Sequence, residues 1–188
     1  MILKPSRRQI TLALGTLTVS WNAASGADLP PTEAQSDGPF YKEGAPVRDN
    51  LVEPGLGGTP LIVTGRVLNT KGDPVGGATL DLWEANMQGK YDTVGYTLRG
   101  KLNADRQGRY RFRTLVPKAY ETSPGHYRTA HIHIKVSGPS HQLVTTELYV
   151  KGDAHNAADS MYRPTLHLEL EGTPEGKKAA FDFVLRTA

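Results

Sequence analysis

From Pro60 onward the chain alternates short apolar and polar positions, and glycine, proline or aspartate interrupts the pattern at brief intervals. The stretch "LIVTGRVLN" from Leu61 predicts a strand, and "TKGDPVGG" after it a turn-rich link. In "ATLDLWEA" the period of two sets Leu80 and Leu82 on one face and Asp81 and Trp83 on the other. "RYRFRTL" likewise sets Tyr110 and Phe112 opposite Arg109, Arg111 and Arg113. "TAHIHIKV", "QLVTTELYV", "LHLEL" and "AAFDFVL" continue the series, the last with Phe181, Phe183 and Leu185 alternating inward. No stretch of this region sustains the 3.6-residue period of a long helix. About seven to eight short strands at this spacing predict an all-β domain, a β-sandwich.

Residues 28–59 break the alternation. They are rich in proline, glycine and acids, and predict an irregular N-terminal arm packed on the domain through Phe40 and Tyr41. Two longer connections, Asn86 to Leu98 and Val116 to Arg128, interrupt the strand series, and loops held on a rigid sandwich are where function tends to sit.

Residues 1–27 have a different texture. Lys4, Arg7 and Arg8 form a basic head without acids, a short apolar run spans Ile10 to Val19, and "SGA" ends at Ala27. That order reads as a secretory signal. The apolar run is too short for a membrane span, which takes about 20 residues. Arg7-Arg8 favours twin-arginine over ordinary Sec export. The expected organisation is therefore a signal at 1–27, an arm at 28–59 and a β-sandwich at 60–188, in a protein exported to the periplasm or beyond.

Setting the signal aside changes the charge. The chain has 22 Lys+Arg against 19 Asp+Glu, and three of the bases lie in the signal, so the remainder is balanced. A nucleic-acid or membrane-surface partner then loses its electrostatic basis. The absence of cysteine excludes disulfides, thiolate metal sites and cysteine nucleophiles.

The remaining chemistry concentrates in "KAYETSPGHYRTAHIHIKV", Lys118 to Val136, which holds three of the six histidines. His131 and His133 are two apart in a predicted strand, so both imidazoles face one side while Ile132 and Ile134 face the other. Such a pair is half a metal site, although a lone His-x-His in a strand is more often an exposed or locally hydrogen-bonded pair. His126, His141, His155 and His167 lack this geometry. With no cysteine, and no acid obviously completing a two-histidine, one-carboxylate triad, Tyr91 and Tyr120 become candidate ligands, because a tyrosinate is a hard anionic donor. In isolation either is more often a half-buried tyrosine with a wet hydroxyl.

Taken in order, "GDPVGGATLDLWEANMQGKYD", "DRQGRYRFRTLVPKAY", "YRTAHIHIKV" and "TTELYVKGD" resemble the intradiol ring-cleavage dioxygenases, non-haem ferric enzymes acting on catechols. "TEAQSDGPFY" also resembles the arm of that family. The resemblance implies that Tyr91, Tyr120, His131 and His133 ligate Fe(III), and that Tyr120 leaves the metal to accept a catechol proton. Arg128 matches the family's arginine three residues before the first histidine ligand, where it would stabilise negative charge on the ring. The implied partners are a catechol-type substrate and O2, with no nucleic acid and no membrane after signal removal; a homo-oligomer is compatible with the reading. Two residues depart from the family pattern. Glu147 stands where Gln is usual, near the same pocket, where it would either pair with Arg128 and weaken its pull or orient a hydroxylated substrate; Thr129 replaces a proline, which is expected to loosen the hold on Arg128. Competing readings are a non-catalytic transthyretin-like or carboxypeptidase-regulatory-like module, which shares the "GRV…GDPVGGATLDLWEA" texture, and a zinc hydrolase built on the His-x-His pair.

Overall fold

The computed structural model describes residues 27–188, so the basic and apolar segment read as a signal lies outside the described residues, apart from its last position. The architecture is two five-stranded sheets facing each other, with a small two-stranded hairpin beside them.

The first sheet is organised around β1 (Pro60–Asn69). Along one edge the first part of β1 pairs antiparallel with the whole of β4 (Arg109–Leu115). Its other edge is shared. β11 (Gly176–Ala180) runs parallel to its first half, and β12 (Phe183–Leu185) to its second. β10 (Glu171–Thr173) closes the outside against β11. Gly65 sits at the changeover: a Cβ there would stand 1.7 Å from the Phe181 carbonyl oxygen, so no side chain fits. Asp182 bridges the gap, its carboxylate accepting the Arg66 N–H at 2.7 Å.

The second sheet has the order β3 (Arg99–Asn103), β2 (Thr79–Trp83), β7 (His131–Ser137), β8 (Val144–Val150), β9 (His167–Leu168). Neighbours are antiparallel except for β8 and β9. The hairpin is β5 (Tyr120–Ser123) with β6 (His126–Arg128).

The observed strands outnumber the expected seven or eight. β5, β6, β9, β10 and β12 are each two to four residues long, too short to show a period of two. "AAFDFVL" is not one strand but the end of β11, a break at Phe181-Asp182, and β12. Its inward alternation holds at Phe183 and Leu185, while Phe181 is only half-buried.

The core lies between the sheets. Leu61, Val63, Phe112 and Phe183 from the first meet Leu80, Leu82, Ile132, Ile134 and Leu148 from the second, and all are at most 1% exposed relative to the free residue. Because strand side chains alternate, the opposite face of the second sheet carries Asp81, Trp83, His131, His133, Glu147 and Tyr149. That face is polar, yet it is also buried. The irregular arm covers it: Gln35 N–H donates to the Thr145 carbonyl, Lys135 pairs with Asp37 at 2.6 Å, and Tyr41 tilts onto Trp83.

Candidate metal centre

The buried polar face is ordered by strand register. Trp83 of β2 pairs with His133 of β7, and His133 pairs in turn with Glu147 of β8, so three side chains lie in a row across the sheet. Trp83 stacks flat on the His133 imidazole, with ring centres 4.8 Å apart and planes within 5°. His131, two residues back, directs its Nε2 to within 3.2 Å of the His133 Nε2. The tyrosines arrive from the two long connections. Tyr91 Oη lies 3.1 Å from His131 Nε2, and the Tyr120 ring meets the Tyr91 ring edge-on at 5.9 Å. Gly89, at φ +71°, lets the first connection pass against Tyr120; a Cβ there would come within 2.4 Å of the Tyr120 Cβ. Phe40 of the arm stacks on the back of Tyr91 at 4.6 Å.

The structure thus brings Tyr91, Tyr120, His131 and His133 to one place, with Arg128 and Glu147 beside them. His126 is exposed, and His141, His155 and His167 stand apart from the cluster.

The electrostatics suit a cation. Burial pushes both imidazoles below the ordinary histidine range, so both are neutral with lone pairs to give. The Thr129 carbonyl, 2.6 Å from His131 Nδ1, takes the proton of that nitrogen and leaves the lone pair on Nε2, facing the other donors. Burial also raises the Tyr91 and Tyr120 phenols above their ordinary value. Neither ionises near neutral pH on its own; a multiply charged ion at the convergence of these atoms would supply what ionises them. Two donors each about 2.1 Å from a shared ion stand about 3 Å apart at right-angle coordination, which the Nε2–Nε2 and Nε2–Oη separations match.

Glu147 was not read as a neighbour of the histidines because it lies on the next strand of the chain; the β7–β8 register places it directly opposite His133. One donor atom from each of His131, His133 and Glu147 lies within 4.8 Å of the others. Its approach decides its role. Glu147 Oε1 lies 3.5 Å from His133 Nδ1, behind the ring, whereas Nε2 faces the tyrosines and His131. Glu147 thus stands behind the imidazole on the side away from Nε2, without a hydrogen bond to it: His133 Nδ1 and Glu147 Oε1 are both buried and unpartnered. Its other oxygen accepts from Arg128 Nη2 and from the Tyr149 hydroxyl, the latter at 2.6 Å.

Asp159 is a further residue that the sequence did not reveal. It sits in "HNAADSMY", a loop without period, and accepts Arg128 Nε at 3.0 Å and the Thr129 N–H at 2.9 Å. Beside Arg128 opens a cavity of about 240 Å³ lined by Thr122, His126, Tyr127, Asp159 and Ser160 among others.

Residues 36–187 match the family described as "Dioxygenase". The chain is 32% identical to 6-chlorohydroxyquinol 1,2-dioxygenase of Cupriavidus pinatubonensis, an alignment covering 93% of this chain and 71% of the relative. It is 30% identical to a catechol 1,2-dioxygenase of a Pseudomonas species over 72% of this chain, and spans only 52% of that relative. Among solved structures, the dioxygenase domain of a dioxygenase and carbohydrate-binding fusion from Streptomyces sp. SirexAA-E superposes with TM-score 0.77 at 36% identity, covering 85% of this chain and 100% of that one. Hydroxyquinol 1,2-dioxygenase from Pseudomonas putida superposes with TM-score 0.78 at 26% identity, over 85% of this chain and 68% of that one. These relatives give the transthyretin-like and regulatory-module reading no support.

Proposed function

Because the chain belongs to the intradiol ring-cleavage dioxygenases, we propose that it cleaves a catechol-type ring between its two hydroxylated carbons. O2 is consumed, both oxygen atoms enter the product, and the product is a muconate-type diacid. The observation that carries this reading is the convergence of His131 Nε2, His133 Nε2 and Tyr91 Oη within 3.2 Å contacts, with the Tyr120 ring alongside. In this reading His131, His133, Tyr91 and Tyr120 hold a ferric ion. When bound, that ion supplies a Lewis acid which takes the deprotonated catechol and makes its ring electron-rich toward O2.

The chain's own groups do the rest. Tyr91 is 9% exposed and clamped by Phe40, and so stays in place. Tyr120 begins the short hairpin and is more accessible, which suits it to swing away and accept a catechol proton at its phenolate oxygen. The Thr129 carbonyl fixes the His131 ring, and the Trp83 stack fixes the plane of the His133 ring, so that both lone pairs remain aimed while Tyr120 moves. Arg128, paired with Tyr120 across the hairpin, would face the negative charge that develops on the ring. The arm excludes water from behind.

The test is direct. Protein from iron-replete cells is assayed for one ferric ion per chain, for a visible tyrosinate absorption, and for O2 uptake with catechol. A colourless protein with stoichiometric zinc overturns the reading. Export is proposed from the pattern of residues 1–27 alone, and cell fractionation of the full chain tests it.

A further inference from the structure

Tyr91 is the candidate ligand that stays in place, and the groups that hold it converge on one side chain. Arg99 opens β3 opposite Trp83, so the row of Trp83, His133 and Glu147 begins with a guanidinium. Arg99 is 1% exposed. Its Nε donates to the Asp92 carbonyl at 2.9 Å, and its Nη2 to the Phe40 carbonyl at 2.7 Å. The third nitrogen, Nη1, is buried without a partner. Burying a cation and an unmet donor is costly, and a planar two-pronged donor is what the position gains in return.

The two carbonyls flank Tyr91. Phe40 lays its ring on the Tyr91 ring with planes within 12°, and Asp92 is the next residue along the chain. The Asp92 carboxylate in turn accepts the N–H groups of Val94, Gly95 and Thr97 at 2.7 to 3.0 Å, which ties down the rest of that connection. Arg99 is seated by its own backbone: its N–H donates to the Tyr96 carbonyl at 3.1 Å, and its carbonyl accepts Arg48 Nε at 2.8 Å. Leu98, immediately before it, takes φ +53°, a left-handed conformation that leucine rarely adopts. Backbone strain of this kind persists only where the surroundings over-determine it, and it gathers at functional sites.

We propose that Arg99 is a positioning residue for Tyr91. By holding the Phe40 and Asp92 carbonyls at once, it fixes both the ring stacked on Tyr91 and the peptide that follows it. The Tyr91 oxygen is thereby kept at His131 Nε2, 3.1 Å away, while Tyr120 is left to move. The inference rests on the ring-cleavage reading above and deepens it, by giving the permanence of one tyrosine a physical cause. The guanidinium donates to these two backbone carbonyls and to no candidate ligand, so its influence travels through the segments it ties together. Tyr120, by contrast, begins a hairpin strand whose next three residues are exposed.

The test uses Arg99→Lys, which keeps the charge but lacks the two-pronged fork, Phe40→Leu, which removes the stacked ring but leaves its carbonyl, and the double variant. In the iron-loaded proteins, two readouts are taken: the position of the visible tyrosinate band, and the rate of iron loss to a chelator. In the metal-free proteins, amide hydrogen exchange is followed over residues 91–98. Each single variant is expected to move the band and to speed iron loss by roughly 10–100-fold, the usual cost of disturbing a group behind a metal ligand. The double variant should lose little more than the worse single one, because both changes act on one element. Arg99→Lys should also speed exchange at the Val94, Gly95 and Thr97 amides. An unmoved band with an unchanged rate in Arg99→Lys, or a double variant whose effects multiply, overturns the proposal. If Arg99→Lys does not fold, Phe40→Leu decides: a wild-type band and rate would show that the stack secured by Arg99 does not position Tyr91. A wild type that takes up no ferric ion would instead sink the ring-cleavage reading; exchange in the metal-free Arg99→Lys protein would then decide the clamp, with an unchanged rate overturning it.

Discussion

Replacing Arg128 with alanine should damage stability as well as turnover, and the two losses should separate. The guanidinium is the cation paired with Glu147 and Asp159, whose side chains are 0% and 2% exposed. Removing one partner of a buried ion pair leaves uncompensated charge and costs about 3–5 kcal/mol. In a domain of this size each kcal/mol lowers Tm by about 2–4 °C, so Arg128→Ala should melt about 10 °C below the wild type at pH 7. Turnover should fall by about 10²-fold, the usual cost of losing one electrostatic contact to the transition state.

The stability loss should depend on pH in a definite direction. Burial pushes the Asp159 carboxyl up, but the N–H groups of Thr129 and Met161 together with Arg128 outweigh it and hold the group below its ordinary value. In the wild type its contribution is present above the unfolded pKa of about 3.9 and is lost as pH falls through the lower folded value. Without Arg128 the folded value moves up while the N–H groups of Thr129 and Met161 remain, so the variant keeps less of that contribution at neutral pH. The gap between the two proteins should therefore be widest near pH 7 and narrow toward pH 4. Adding Asp159→Asn and Glu147→Gln to the alanine variant should recover much of the Tm without recovering turnover. Thermal melts from pH 4 to 8, with O2 uptake in parallel, measure this. A wild-type Tm for Arg128→Ala at pH 7, or a gap that widens on acidification, would refute the reasoning.

Other expectations are simpler to state. Tyr91→Phe should chiefly impair iron retention. Tyr120→Phe should retain iron better yet bind catechol poorly near neutral pH, recovering as pH rises and the catechol loses its proton to solvent; equal pH responses of the two variants in a catecholate-band titration would mean that the exchangeable ligand is misassigned. Gly65→Ala should destabilise the fold by at least about 3 kcal/mol, because its Cβ collides with the Phe181 carbonyl, whereas Gly57→Ala meets nothing within 4 Å and should be close to neutral by denaturant titration. Chelation of the metal should bleach the visible band and lower Tm together, since an ion bound only by the folded state stabilises it.

The long strands were legible because one periodic rule governs them. β1, β2, β4, β7 and β8 each show their two faces in sequence, and the outward histidines of β7 followed from that rule alone. β5, β6, β9, β10 and β12 were not, since strands that short are defined by partners far away in the chain. The break at Phe181-Asp182 is the clearest case: it exists because β1 switches partners at Gly65, a tertiary fact without a local signature. At the site, the grouping of Tyr91, Tyr120, His131 and His133 was readable through resemblance, while periodicity gave only the histidine pair. Trp83 was placed on the correct face, but its stacking on His133 needed the β2–β7 register. Asp159 was invisible for a deeper reason. An acid in an aperiodic loop reads as solvated, and only the backbone N–H of Thr129 and the buried Arg128 reveal otherwise.

The divided edge of β1 bears on how the chain folds during synthesis. β1 is the first strand to leave the ribosome, yet one side of it pairs with β11 and β12, more than a hundred residues later. The arm waits as well: Thr32 exchanges hydrogen bonds with Val184, its N–H donating to the carbonyl at 3.0 Å and its hydroxyl accepting the N–H at 2.8 Å. Until those last strands emerge, β1 presents an open ladder to any neighbouring chain. Strands β2, β7 and β8, which carry the candidate metal site, have their partners earlier and can pair first. A nascent chain stalled before Phe183 would hold its prospective ligands in register beneath an unfinished first sheet, exposed to aggregation and dependent on long-range closure for its final rate of folding.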